Sequence, residues 1–159
     1  MGQPEVLAIA DAPNWAQTRF GLAEDELELR VLRGILGCEH VGVSYLRFGP
    51  GWRLTVGHRH PGGGEEVYVL VEGSARIKIE EQILHMRAPS AIRVHGDQFR
   101  AIRAAGDRAA VFVAAGTIDD PDATELSILT TEAGDHFRQL SQEVTIVQRT
   151  PKLTWIGGA

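Results

Sequence analysis

Residues 57–73 read GHRHPGGGEEVYVLVEG, and this stretch decides the fold. Its second half, Glu65–Glu72, is rich in β-branched and aromatic residues and contains no breaker, which is the composition of a strand. Its first half closes another strand. There Leu54, Val56, His58 and His60 alternate with Arg53, Thr55, Gly57 and Arg59, the period of two that a pleated backbone imposes. Between the halves, Pro61-Gly62-Gly63-Gly64 reverses the chain.

The same pattern continues outward on both sides. Upstream, Leu27–Leu32 and His40–Phe48 read as strands. Downstream, Ser74–Glu80, Gln82–Met86, Ser90–Val94, Gln98–Arg103 and Ala109–Ala114 do, separated by glycine-bearing turns such as Gly73 and Gly106-Asp107. Short strands at near-regular spacing predict an all-β sandwich or barrel. The chain of 159 residues suits a single domain, 1–159, with its barrel body over about 27–115 and a tail over 116–159. In the tail, Leu126–Thr131 and Val144–Gln148 are candidate strands. Thr117–Asp122 reads as a loop, and Gly134–Gln142 as a short helix or irregular segment.

A net charge of −5 argues against a nucleic-acid partner, because phosphate recognition wants a basic face. No run approaches the ~20 apolar residues of a membrane span. Val6–Ala10 is too short for a signal sequence and lacks a basic flank. The one cysteine, Cys38, cannot form an internal disulfide. These observations predict a cytoplasmic protein with neither nucleic acid nor membrane as partner.

His58 and His60 lie two apart in a strand, so both imidazoles point to one side. They share it with Leu54 and Val56, which marks it as the interior. Two histidines and a carboxylate on one face form an open coordination site for a divalent metal. Two glutamates compete for the third place. Glu66 shares its face with Tyr68 and Leu70; Glu65 shares the other with Val67, Val69 and Val71. Both faces are apolar, so periodicity does not choose between them.

The stretch 57–73 resembles the first conserved motif of the cupin superfamily: Gly, His-x-His, a few residues, Glu, six residues, Gly. The resemblance covers roughly residues 40–115. It implies a double-stranded β-helix, or jelly-roll, barrel of antiparallel strands with extra N- and C-terminal segments. Because six residues separate Glu66 from Gly73, it also implies Glu66 as the metal-binding glutamate, although the spacing from His60 to Glu66 is one longer than usual. The second motif departs from the family. In "PSAIRVHGDQFRAIRAAGD", residues 89–107, an ungapped match puts His95 on the proline place and Asp97 on the glycine place. Arg100 falls on the fourth-ligand histidine and Ala104 on the asparagine. A guanidinium has no lone pair to offer a cation.

The resemblance therefore implies a site of three ligands, His58, His60 and Glu66, that holds a divalent metal (Fe, Mn, Zn or Ni) weakly or not at all. Arg100 shares a strand face with Gln98 and Ile102 and is expected in the cavity. There it either pairs with Glu66, in the place of the metal, or holds an anionic ligand. Tyr68 and Gln98 are further cavity candidates, with core packing the alternative for Tyr68. His95 is a candidate substitute for the fourth ligand, and His40 and His85 read as surface or packing residues. The expected function is binding of a small molecule in the barrel cavity, an anionic one where Arg100 is the residue that holds it. The alternatives are a metal-dependent dioxygenase, isomerase or epimerase, and a metal-free binding or sensing barrel. Apolar residues on both faces of Glu65–Glu72 predict a homodimer.

Overall fold

In the computed structural model, the structure describes residues 6–50, 54–62, 64–117, 125–130 and 144–146. Eleven strands are present among them: β1 (Leu27–Val31), β2 (Gly42–Phe48), β3 (Leu54–Arg59), β4 (Glu65–Glu72), β5 (Ser74–Ile79), β6 (Gln82–Arg87), β7 (Ser90–His95), β8 (Arg100–Ala104), β9 (Ala110–Gly116), β10 (Glu125–Thr130) and β11 (Val144–Ile146). They form two antiparallel sheets, ordered β1-β2-β9-β4-β7 and β11-β10-β3-β8-β5-β6, the arrangement of a jelly roll. The two candidate strands of the tail thus join the second sheet, with β10 lying against β3. The Gly134–Gln142 segment and most of the Thr117–Asp122 loop fall outside the described residues. No described helix is long and apolar enough to cross a membrane.

Alternation places the core. On β5, Ala75, Ile77 and Ile79 point inward, in strict alternation with Ser74, Arg76 and Lys78. On β4, Tyr68 and Leu70 are fully buried, while Val67, Val69 and Val71 are 37, 38 and 50% exposed. The ambiguity between the glutamates is settled by this step: Glu66 stands on the inner face with Tyr68. Glu65 faces outward, where Arg93 of the paired strand β7 donates to it at 2.5 Å.

The glycines at both ends of the 57–73 stretch have steric reasons. A Cβ on Gly57 would lie 2.1 Å from the Phe99 ring, which crosses the strand there. Gly73 has a φ of +80°, and a Cβ there would lie 2.1 Å from the backbone oxygen of Ala109. The first position forbids a side chain by crowding, the second also by backbone conformation.

Two features depart from the sequence reading. Residues Trp15–Phe20 form a helix, α1, that the alternation did not predict. Its N-cap is Asn14, whose side-chain oxygen accepts from Ala16 N and Leu29 N, each at 3.1 Å, which ties the helix start to β1. In addition, the strand read as Gln98–Arg103 begins only at Arg100. Gln98 lies in the preceding turn, where its amide N donates to His95 O at 3.0 Å.

Candidate metal centre

Three elements bring the polar residues together. The end of β3 delivers His58, and His60 follows one residue beyond, anchored by its backbone N–H to Gly96 O at 2.8 Å. The two imidazole rings lie on the same side, with centroids 5.0 Å apart. After β3, Gly62 and Gly64 adopt the left-handed region (φ +104° and +87°), and β4 starts within reach of β3. Glu66 then projects inward. Its Oε2 lies 3.6 Å from the Nε2 of both His58 and His60. One donor atom from each of the three residues fits within a span of 4.8 Å.

Strand β8 adds the cation. Arg100 is the register partner of His58 across β3 and β8 and is completely buried. A buried guanidinium must have its donors satisfied, and the surroundings supply acceptors for all but one of its N–H groups. Nη2 donates to Glu66 Oε2 at 2.7 Å. Nη1 donates to the backbone oxygens of Gly96 and Gln98, each at 3.0 Å, and Nε to the Tyr68 hydroxyl at 3.2 Å. Tyr68 in turn donates to the same Glu66 oxygen at 2.5 Å and lies 3.4 Å from His58 Nε2. Glu66 Oε2 is therefore the hub of the cluster.

The protonation states follow from burial and charge. Burial lowers His58 to about 4, against the opposing pull of Glu66, so its imidazole is neutral at neutral pH. Burial alone would raise the Glu66 carboxyl. The hydrogen bonds of His58 and His60 and the charge of Arg100 outweigh it and hold the carboxyl well below the usual range. Burial and the Glu66 carboxylate push the Tyr68 hydroxyl well above 10, so it remains a donor.

The donor set fits a divalent ion in number, type and spacing. Bond lengths near ~2.1 Å to nitrogen and oxygen place neighbouring ligand atoms roughly 3.0–3.5 Å apart, close to the separations of 3.6 Å. His58, held neutral, has only to carry its single proton on Nδ1 for Nε2 to offer a lone pair to an ion. Opposing the fit, Arg100 donates to the very oxygen that faces the histidines.

A small pocket, partly open to solvent, lies beside the cluster, lined by His60, Glu66, Arg100, Ser44, Ala114 and Thr117 among others. Gly42 and Gly116 also line it, so small residues of β2 and β9 leave the space. Gln98 does not reach this cavity: its side chain is exposed and accepts from His95 N at 3.1 Å. It reaches the cluster only through its backbone oxygen. His95 is also exposed, 3.6 Å from Asp97, and does not join the other histidines. His40 and His85 are on the surface. The hydroxyls of Ser44 and Thr117 carry no sequence signal, since serine and threonine in strands are common, and the carbonyls that hold Arg100 carry none either.

No protein-family model matches the chain, and no curated protein matches it. Solved structures do. An uncharacterized conserved protein with a double-stranded β-helix domain from Klebsiella pneumoniae matches with a TM-score of 0.57 at 14% identity, over 82% of this chain and 100% of that one. A cupin-like protein from Thermotoga maritima matches with a TM-score of 0.55 at 18% identity, over 70% and 82% of the two chains. The fold is the double-stranded β-helix that these cupin-like structures share. The cupin domain of Schizosaccharomyces pombe Cnp3 matches too, with a TM-score of 0.50 at 11% identity, over 58% of this chain; the chain spans 65% of that domain's length. At these identities the likeness to these structures is one of fold, and chemistry must be argued from the cluster itself.

Proposed function

We propose that this cupin-fold chain binds a small molecule in its cavity, at a divalent ion held weakly by His58, His60 and Glu66. The observation that carries this reading is the convergence of the three donors within 4.8 Å, two of which, His60 and Glu66, line the cavity. Three protein ligands leave positions open for a small molecule. Such an ion would serve as a Lewis acid toward an oxygen-bearing ligand. The chain's own residues do the positioning: Tyr68 and Arg100 both donate to Glu66 Oε2 and so hold that oxygen towards the histidines. Metal-dependent oxygenase, isomerase or epimerase chemistry is compatible with this arrangement.

Metal titration of untagged protein tests the reading. Binding is expected at one ion per chain and is expected to be lost in His58→Ala and in His60→Ala, with the β-sheet circular dichroism unchanged. Full metal content in both variants would place the ion elsewhere and overturn the assignment.

One observation favours a second reading. Arg100 already sits 2.7 Å from Glu66 Oε2, a built-in cation where an ion would draw its negative charge. On that reading the barrel is a metal-free binding or sensing module, and titration would detect no ion.

The outer face of the first sheet supports a proposal about partners. Val67, Val69 and Val71 are exposed, and β9, whose Val113 pairs with Val69, runs beside them. A second copy meeting this strip would bury it in a two-fold homodimer. Light scattering at micromolar concentration should then give the mass of two chains; the mass of one would exclude the dimer.

A further inference from the structure

The charges around the three donors, counted one by one, constrain what can accompany an ion. A ligating histidine must be neutral, so His58 and His60 contribute nothing. Glu66 contributes one negative charge, and Arg100, 2.7 Å away and fully buried, cancels it. Glu65, the next carboxylate in sequence, faces outward and is paired with Arg93. Among the described residues no further carboxylate joins the three donors. The protein thus offers a divalent ion a site of zero net charge, and the loaded site carries two uncompensated positive charges in a partly buried place. The same pocket is lined by two residues that carry hydroxyls, Ser44 and Thr117. The Thr117 oxygen already accepts from Glu65 N at 3.3 Å, which leaves its hydrogen to be donated.

From this charge count we infer that the ion and a small carboxylate-type anion bind together, each raising the affinity of the other, with Arg100 as the residue that sets this coupling. The inference rests on the metal reading above and names its ligand class. Arg100 need not touch the anion, since nearly all its N–H groups are engaged within the protein. It acts by cancelling Glu66, so that the charge of the ion must be met from outside. Coupling between two ligands is reciprocal, and for charged pairs in one site it commonly amounts to about fivefold to a hundredfold.

The test is a titration of the full chain with Mn²⁺, in buffer brought to constant ionic strength with sodium perchlorate, with and without millimolar acetate. Unbound Mn²⁺ is read by its paramagnetic resonance signal. Acetate is expected to raise Mn²⁺ affinity about tenfold, within the usual range for site–site coupling; glycerol at equal concentration is expected to leave it unchanged. In Arg100→Gln, Mn²⁺ alone should bind more tightly than to the native protein, and the acetate effect should shrink below about fivefold, the low end of such coupling. Arg100→Lys, which keeps the charge, should retain it. The native titration alone decides the matter if a variant does not fold. Mn²⁺ binding that ignores acetate would overturn the inference and leave the metal site standing. An acetate effect equal in native protein and Arg100→Gln would remove Arg100 from it. Absence of Mn²⁺ binding under every condition would overturn the metal site, and the inference with it.

Discussion

Replacing Arg100 by histidine is expected to raise the affinity for a divalent ion by an order of magnitude or more. Two effects add. The first is relief of repulsion. A unit charge and a divalent ion about 5 Å apart repel by roughly 6–7 kcal/mol at an effective dielectric near ~20. A tenfold gain needs only about 1.4 kcal/mol, so a large part of that repulsion can be screened without changing the outcome. The second effect is a new ligand. Arg100 and His58 are register partners on adjacent strands, and side chains at such positions stand about 5 Å apart on one face. A histidine at 100 would therefore stand beside His58 and supply a fourth donor. Arg100→Leu separates the two effects, because it removes the charge without adding a ligand; its gain should be smaller than that of the histidine. Calorimetric titration reads all three proteins. Without metal, Arg100→His should be less stable than the native protein, since Glu66 loses its partner, and added metal should restore its melting temperature by mass action. An affinity that stays the same or falls would show that Arg100 does not stand where a fourth ligand would.

How much of this was legible in the sequence differs from residue to residue. The strands were, because alternation and glycine-bearing turns are local, and β4 matches its sequence reading at both ends. The helix Trp15–Phe20 was not: six residues give less than two turns, too few for a helical period to emerge, and its capping Asn14 is held by Leu29 from a distant strand. The inward glutamate could not be chosen from periodicity, because the outer face of β4 carries Val67, Val69 and Val71 where water-facing polar residues would have marked the difference. The interval to Gly73 singled out Glu66, and the structure places it inside. Gln98 was read as strand by extending the alternation of Arg100 and Ile102 backward. A turn held by the Gln98 N–H and the His95 carbonyl interrupts that alternation. The environment of Arg100 was only half legible. The sequence named Glu66 as one candidate partner, but the carbonyls of Gly96 and Gln98 belong to the backbone, which every residue has.

Glu66→Ala tests the same pair from the other side, and its expected result is a large loss of stability. The native carboxylate accepts from Arg100 and Tyr68, and without it the guanidinium remains buried with its charge uncompensated. Breaking a buried pair from one end costs about 3–5 kcal/mol, which for a chain of this length lowers the melting temperature by roughly 10 °C or somewhat more. The loss comes from the stranded charge more than from the missing contact, and this can be shown. In the double variant Glu66→Ala with Arg100→Leu no charge is left inside, and an apolar side chain fills the space. Most of the stability should return, so the double variant should be more stable than Glu66→Ala alone. Glu66→Gln should fall between the native protein and Glu66→Ala, since its amide oxygen can still accept from Arg100 but carries no charge. Thermal unfolding of the native protein and the four variants, Arg100→Leu included, closes the cycle. If the two single losses simply add in the double variant, then Arg100 is held by the carbonyls of Gly96 and Gln98 and by Tyr68. Its bond to Glu66 would then contribute nothing to the fold, and the charge count at the candidate centre would have to be drawn again.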